Sequence, residues 1–312
     1  MSQQIQRRKF LKVAGAAATA ATAGLAGGSA ILAAQSDGAP QTAGSQAKMP
    51  RMFSGCCAYS FRKYLQHGPM TMEDFIRKGV ELKLDGVDMT GYYFKSTDPG
   101  YLGGLRHFAY KHGVPFSGAA CGVSLVQADP DRRAQSLVEV KKWVDAADLL
   151  GASHLRVFAG KLPQGATIPQ AIGWVVETLK AAADYSGGKG IMLGLEDHSG
   201  ITQNADACLE IMHRVDSPYA GINLDITHFI PTATQDAYAQ IAACITYATN
   251  THIRDVFDDQ TPIDMDRVWG MFAQAGFKGY MSAEYEGHED PMTGVPKLTA
   301  KIRNLCKKYS TV

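Results

Sequence analysis

From residue 52 onward, two hydrophobic rhythms alternate along the chain. Short runs of small and apolar residues predict strands over 52–60, 85–89, 114–120, 153–158, 191–195, 219–224, within 245–253, and over 279–283. Between them, apolar positions recur at helical spacing and predict helices over 71–84, 104–112, 131–150, 168–185, 205–215, 235–243, 265–275 and 296–309. Thr71 followed by Asp74 has the form of a capping box, and Gly113 and Gly151 stand where helices stop. Strands that alternate with helices about eight times imply a parallel sheet with crossover helices. In a chain of 312 residues this favours a closed (β/α)8 TIM barrel. The competing arrangement, an open doubly wound sheet, carries a glycine-rich phosphate loop after its first strand. Here that strand is followed by Tyr59-Ser60-Phe61-Arg62.

The first residues follow neither rhythm. Arg7-Arg8-Lys9-Phe10-Leu11-Lys12 precedes an uncharged run rich in Ala and Gly. This reads as a twin-arginine export signal over residues 1–34, although Gln6 stands where Ser or Thr is usual. The run has the length of a membrane span, but its Ala, Gly and Thr make it too weakly apolar for a stable anchor. Residues 35–50 are polar, with Gly, Ser and Pro, and read as a flexible linker; 51–312 form the barrel domain. The expected partners are the Tat export machinery and a small-molecule substrate, and the expected destination is the periplasm or another exported compartment. The sequence leaves an oligomer open.

Charge narrows the partners further. The chain has 31 basic and 30 acidic residues; without the signal, 27 basic side chains face 30 acidic ones. A mildly acidic domain is unsuited to nucleic acid. The six cysteines include no CxxC and no zinc-ribbon spacing, and read mainly as small buried residues.

The chemistry gathers at strand ends. In a barrel these ends converge on one mouth. Four consecutive predicted strands finish in Glu196, Asp225, His252 and Glu284. Three carboxylates brought so close repel one another, and a divalent cation removes that penalty. A set of mainly oxygen donors with one nitrogen suits Mn, Mg or Co better than a closed zinc site. Arg156 and His154 near the fourth strand are candidates to bind a sugar hydroxyl, and Arg156 alternatively neutralises Glu196 or Asp88. His198 is a candidate substrate contact or loop cap, whereas Trp269 and Phe61 read as core.

The segments Leu195-Glu196-Asp197-His198, Asn223-Leu224-Asp225-Ile226-Thr227-His228, Thr251-His252-Ile253-Arg254-Asp255 and Ser282-Ala283-Glu284, with Asp85-Gly86-Val87-Asp88, resemble successive strand ends of the sugar phosphate isomerase/epimerase family, which has a xylose isomerase-like TIM barrel. The resemblance implies that Glu196, Asp225, His252 and Glu284 bind one metal ion, that Glu196 and Glu284 also move protons, and that His228 contacts substrate. It departs from the family at Arg254, where lysine is common, and at Thr202, where some ketose epimerases have a second glutamate.

Paired glutamates around a cation suit proton removal next to a carbonyl, through an enediolate. No cluster of basic residues suggests a phosphate clamp, and exported substrates are seldom phosphorylated. The expectation is an isomerase or epimerase acting on a non-phosphorylated carbohydrate. The alternative is a lyase or dehydratase acting on a 3-keto-glycoside or inosose. A non-catalytic carbohydrate-binding barrel has no need of two bases.

Overall fold

Eight parallel strands close on themselves in chain order: Arg51–Cys57 (β1), Gly86–Thr90 (β2), Phe116–Ser124 (β3), His154–Phe158 (β4), Met192–Glu196 (β5), Ala220–Asp225 (β6), Ala248–Ile253 (β7) and Lys278–Ala283 (β8), with β8 pairing back onto β1. The computed structural model describes residues 49–311. The expected export signal (1–34) and all but the last two residues of the expected linker (35–50) lie outside the described residues. Among the described residues, no helix is long and apolar enough to cross a membrane.

The helices are Arg62–His67 (α1), Met72–Glu81 (α2), Pro99–His112 (α3), Pro130–Leu150 (α4), Ile168–Gly187 (α5), Ala205–Val215 (α6), Ala237–Cys244 (α7), Met265–Ala275 (α8) and Pro291–Tyr309 (α9). Local chemistry fixes their ends. Thr71 and Asp74 form the expected capping box, Thr167 and Gln170 form another, and Asp129, Asn204, Asp236 and Asp264 cap with their side chains. Gly113, Gly151 and Gly276 stop helices at φ of +69°, +84° and +75°.

Several boundaries depart from the sequence expectation, β3 running on to Ser124 among them, and three have a plain local cause. α3 begins at Pro99 rather than 104, because burial of Leu102 and Leu105 outweighs the weak helix propensity of the glycines between them. α9 begins at Pro291, capped by Asp290, so Pro296 lies inside the helix, where the Thr299 hydroxyl donates to the Val295 and Pro296 carbonyls. β1 stops at Cys57 and turns into a short 3-10 segment, Ala58–Phe61. Ser60 locks that turn to the end of β8: its hydroxyl donates to the Ala283 carbonyl (3.0 Å) and accepts from the Tyr285 N–H (2.8 Å).

Large apolar side chains, among them Trp269, Phe61, Phe75 and Phe272, pack outside the strands. The barrel interior contains an unusual share of polar groups: Asp88, His154, Arg156, Asn223 and Asn250 are all buried. These groups pair only in part: Asp88 Oδ1, His154 Nδ1, Asn223 Oδ1 and Asn250 Oδ1 are buried without a hydrogen-bond partner. Asn250 Nδ2 donates to Asp88 Oδ2 (3.0 Å), Asn223 Nδ2 donates to Glu196 Oε1 (3.2 Å), and His154 Nε2 lies 3.1 Å from Thr249 Oγ1. Burial pushes His154 down to about 4, which keeps the ring neutral. His154 is therefore an interior residue below the mouth, in contrast to its expected place as a sugar contact.

Gly194 makes room for that ring. A Cβ on Gly194 would stand 2.4 Å from His154 Nε2 and 2.7 Å from Cε1. Gly194→Ala is expected to displace His154 and lower stability by about 1–3 kcal/mol, as overpacking does elsewhere. Urea unfolding of the two proteins measures it, and an unchanged midpoint would show that the interior tolerates the methyl group.

Candidate active site

The site forms because adjacent strands end in register. Phe158 pairs with Glu196, Glu196 with Asn223, and Asp225 with His252. Glu284 follows β8 by one residue, and its N–H donates to the Ile253 carbonyl at 2.9 Å. Glu196, Asp225, His252 and Glu284 are all buried, and each offers a donor atom within 4.8 Å of the others. The four expected ligands thus stand together.

Each carboxylate meets a different electrostatic environment. Burial favours the protonated form of Glu196, but Arg156 and His252 outweigh it and hold Glu196 down at about 2. Arg156 Nε lies 3.3 Å from Glu196 Oε2, and its guanidinium is braced by Tyr92 Oη (2.8 Å) and lies against the Phe158 ring. Burial likewise disfavours the Asp225 anion, yet His228 and Arg254 hold it well below the usual carboxylate range. Its Oδ1 also accepts from the Thr227 N–H (2.9 Å) and hydroxyl (2.5 Å). Glu284 has no guanidinium of its own. Burial pushes it up to about 7, with Glu196 and Asp225 adding to the rise and His252 opposing it.

His252 sits at the centre. Burial would lower it, but Glu284 and Glu196 raise it well above an ordinary histidine. Its Nδ1 lies 2.6 Å from Glu196 Oε1 and 3.4 Å from Glu284 Oε1, and Nε2 is 3.9 Å from Asp88 Oδ2. None of these approaches has hydrogen-bond geometry, so both ring nitrogens are buried without a partner, as is Asp225 Oδ2. Orphaned donor atoms on an imidazole and a carboxylate, facing two further carboxylates, fit a divalent cation. Asp88, beyond Nε2, is placed to orient the ring as carboxylates behind metal-binding histidines do.

The remaining expected site residues divide between two halves of the mouth. His228 Nε2 lies 3.1 Å from Asp225 Oδ2 and Nδ1 lies 2.9 Å from Asp258 Oδ2. Burial would lower His228, but Asp225, then Asp258, push it up to about 11. Arg254 reaches Asp225 (3.6 Å), Asp258 (2.9 Å) and Glu286 (3.3 Å), and Glu286 meets Arg62 (3.4 Å). Ion pairs therefore tie together the loops after β6, β7, β8 and β1.

The opposite half is open. A cleft of about 550 Å3 is lined by Ser124, Gln127, Phe158, Lys161, His198 and Ser199, among others, from the loops after β3, β4 and β5. His198 forms its inner wall, edge-on to Phe158 and to His228. Thr202 is buried, and its hydroxyl donates to the Glu196 carbonyl (2.9 Å). Sequence reading passed over Cys57, Tyr92, Asn223 and Asp258. Asn223 had a signal, since it lies two residues before Asp225 and on the same strand face; Tyr92, in the short 3-10 turn Gly91–Tyr93, and Asp258, in a loop, had none.

Solved structures share this architecture at low identity. IolI with a bound zinc atom superposes at TM-score 0.68, with 15% identity over 84% of this chain and 100% of that one. The 3-keto-D-glucoside 4-epimerase YcjR from E. coli gives 0.64, with 15% identity over 82% and 99%. The probable 3-DHS dehydratase AsbF from Bacillus anthracis gives 0.63, with 14% identity over 81% and 98%. No curated protein sequence matches the chain at a significant level. Residues 76–306 match the family model described as xylose isomerase-like TIM barrel, and the chain belongs to that family.

Proposed function

We propose that this protein is a metal-dependent isomerase or epimerase that moves a proton next to a carbonyl of a non-phosphorylated sugar or keto-sugar. The observation that carries this reading is the convergence of two buried glutamates, Glu196 and Glu284, with Asp225 and His252, their donor atoms all within 4.8 Å of one another. Two carboxylates around one cation suit proton removal and return next to a carbonyl.

When bound, the divalent ion would supply Lewis-acid polarisation of a carbonyl oxygen and its neighbouring hydroxyl, which acidifies the adjacent C–H. The chain does the rest. Arg156 and Asn223 fix Glu196 as a carboxylate whose free electron pair takes the proton from carbon. The C–H electron pair passes into the enediolate of the substrate. Glu284, ionised when it holds the ion, relays a proton to the opposite face of the same carbon for an epimer or to the neighbouring carbon for an isomer. Asp225, pinned by Thr227, His228 and Arg254, serves as a ligand rather than a base.

The cleft supplies recognition. Its hydroxyl, amide, ammonium and imidazole groups beside the Phe158 ring suit a polyhydroxylated ring, and its volume is that of a small-molecule site. It contains one lysine, Lys161, and no arginine, which suits an uncharged sugar. YcjR is by name a keto-glucoside epimerase and IolI holds zinc, which supports the same chemistry here. The amino-terminal pattern supports export by the twin-arginine route to the periplasm, with the ion acquired before export.

A second reading, elimination from a keto-glycoside or inosose, draws on Thr202. It bonds to the main chain at Glu196 where some ketose epimerases have a second glutamate. AsbF, by name a probable dehydratase, shares the fold.

Proton exchange tests the first reading. In deuterium oxide, candidate keto-sugars should exchange the hydrogen next to the carbonyl, and Glu284→Gln should slow that exchange about 10²–10⁴-fold. Product analysis by NMR then separates an epimer from an eliminated product. Equal exchange in both proteins would remove Glu284 from the chemistry.

Metal uptake has a defined pH sign. The proton on Glu284 must leave before its carboxylate binds a cation, and it leaves as pH rises through about 7. Manganese affinity of the metal-free protein should therefore rise with pH through about 7, by roughly tenfold per unit for each displaced proton, and continue to rise above it because His252, raised well above an ordinary histidine, must give up a proton as well. Titration calorimetry between about pH 5.5 and 8 would read this, and pH-independent affinity would contradict the assignment.

A further inference from the structure

Cys57 ends β1, next to β8 in the closed barrel, and so stands beside Glu284. Its thiol donates to Glu284 Oε1 at 3.4 Å, and the side chain is 1% exposed. All six cysteines are free and buried. Five of them, Cys56, Cys121, Cys208, Cys244 and Cys306, belong to the apolar core cluster, and Cys57 does not. Its neighbours are instead the ionisable groups of the mouth.

The Cys57 sulfur, a ring nitrogen of His252 and a carboxylate oxygen of Glu284 all lie within 4.8 Å of one another. His252 and Glu284 therefore belong to two overlapping donor sets. One is completed by Glu196 and Asp225 and is rich in oxygen. The other is completed by sulfur. The buried His252 ring nitrogens, which lack hydrogen-bond partners, give an independent sign that an ion is held here.

We infer that Cys57 is an additional metal donor, recruited by thiophilic divalent ions such as zinc and cobalt and left as a thiol bonded to Glu284 by hard ions such as magnesium and manganese. The inference rests on the reading of the four-residue metal site above. Softness decides the partition: thiolate prefers zinc and cobalt, whereas carboxylates serve magnesium and manganese. Coordination is an exchange without redox change. The S–H bond breaks, its electron pair forms the sulfur–metal bond, and the proton leaves to solvent.

The test uses the metal-free protein reloaded with cobalt(II), zinc or manganese, beside Cys57→Ser and Cys57→Ala. The wild-type cobalt protein should show a near-ultraviolet sulfur-to-cobalt charge-transfer band. Both variants should bind one cobalt ion without the band. Zinc affinity should fall roughly 10–100-fold in both variants, the size of effect that residues around metal sites carry, while manganese affinity stays within about twofold. Cobalt bound to wild type without the band, or an unchanged zinc-to-manganese ratio in the variants, would overturn the role of Cys57 and leave the four-residue site standing. Failure of the wild-type protein to bind any of the three ions would overturn both. Circular dichroism of the two variants separates loss of the donor from loss of the fold, and two folded variants that keep the band would also refute it.

Discussion

Three buried carboxylates within reach of one imidazole dominate this protein. Isolated anions in such a place cost several kcal/mol each, so every neighbouring element is shaped by the need to offset them. The compensation is uneven. Glu196 has Arg156, and Asp225 has His228 and Arg254, whereas Glu284 shares only His252. The carboxyl left without its own cation rises to about 7. The electrostatic asymmetry of the site thus follows from where the sequence places two arginines and one histidine.

The same constraint reaches down into the barrel. A TIM barrel is ordinarily filled by branched apolar side chains. Here Asp88, Asn250, Asn223 and His154 replace part of that filling, and Gly194 is small so that an imidazole can occupy the axis. Such polar groups cost stability unless they are paired; the Asn250–Asp88 and Asn223–Glu196 bonds pair part of them and leave Asn250 Oδ1, Asn223 Oδ1 and Asp88 Oδ1 without a partner. The interior therefore trades some apolar packing for a platform that holds Glu196 and His252 in fixed positions. Rigid ligands of this kind suit electrostatic catalysis, because they need little reorganisation during reaction.

The barrel and its four converging residues were legible in the sequence because both depend on local periodicity. Alternating strands and helices set the fold, and Glu196, Asp225, His252 and Glu284 follow apolar runs that end at the mouth. What stayed hidden depends on contacts between distant segments. Asn250 and Asp88 meet across the barrel axis, from strands far apart in sequence. Cys57 resembles the core cysteines in composition, and only closure of β1 onto β8 places it beside Glu284. His154 and Arg156 both point inward from β4 by period, but one ring lies below the mouth and the other side chain reaches Glu196; spacing alone does not give depth. The boundaries at Pro99 and Pro291 were misplaced because glycine and proline signals were outweighed by burial and by the Asp290 cap.

The mouth itself argues for the direction from which substrate arrives. Around β6, β7, β8 and β1, the chain Asp258–Arg254–Glu286–Arg62 links four loops through ion pairs, with His228 joined to Asp258. Opening that half would expose Asp225 to the loss of its two cations. Over β3, β4 and β5 no comparable ion pairs among the described residues cross the cleft, whose rim residues Lys161, Leu162 and Ser199 are exposed. Access through this half costs least, and it leads first past His198 and Phe158 to Glu196, the carboxylate held ionised. Glu284 and Cys57 lie on the far side, within the closed half. Glu196 thus faces the open half and Glu284 the half tied by ion pairs, and both are buried.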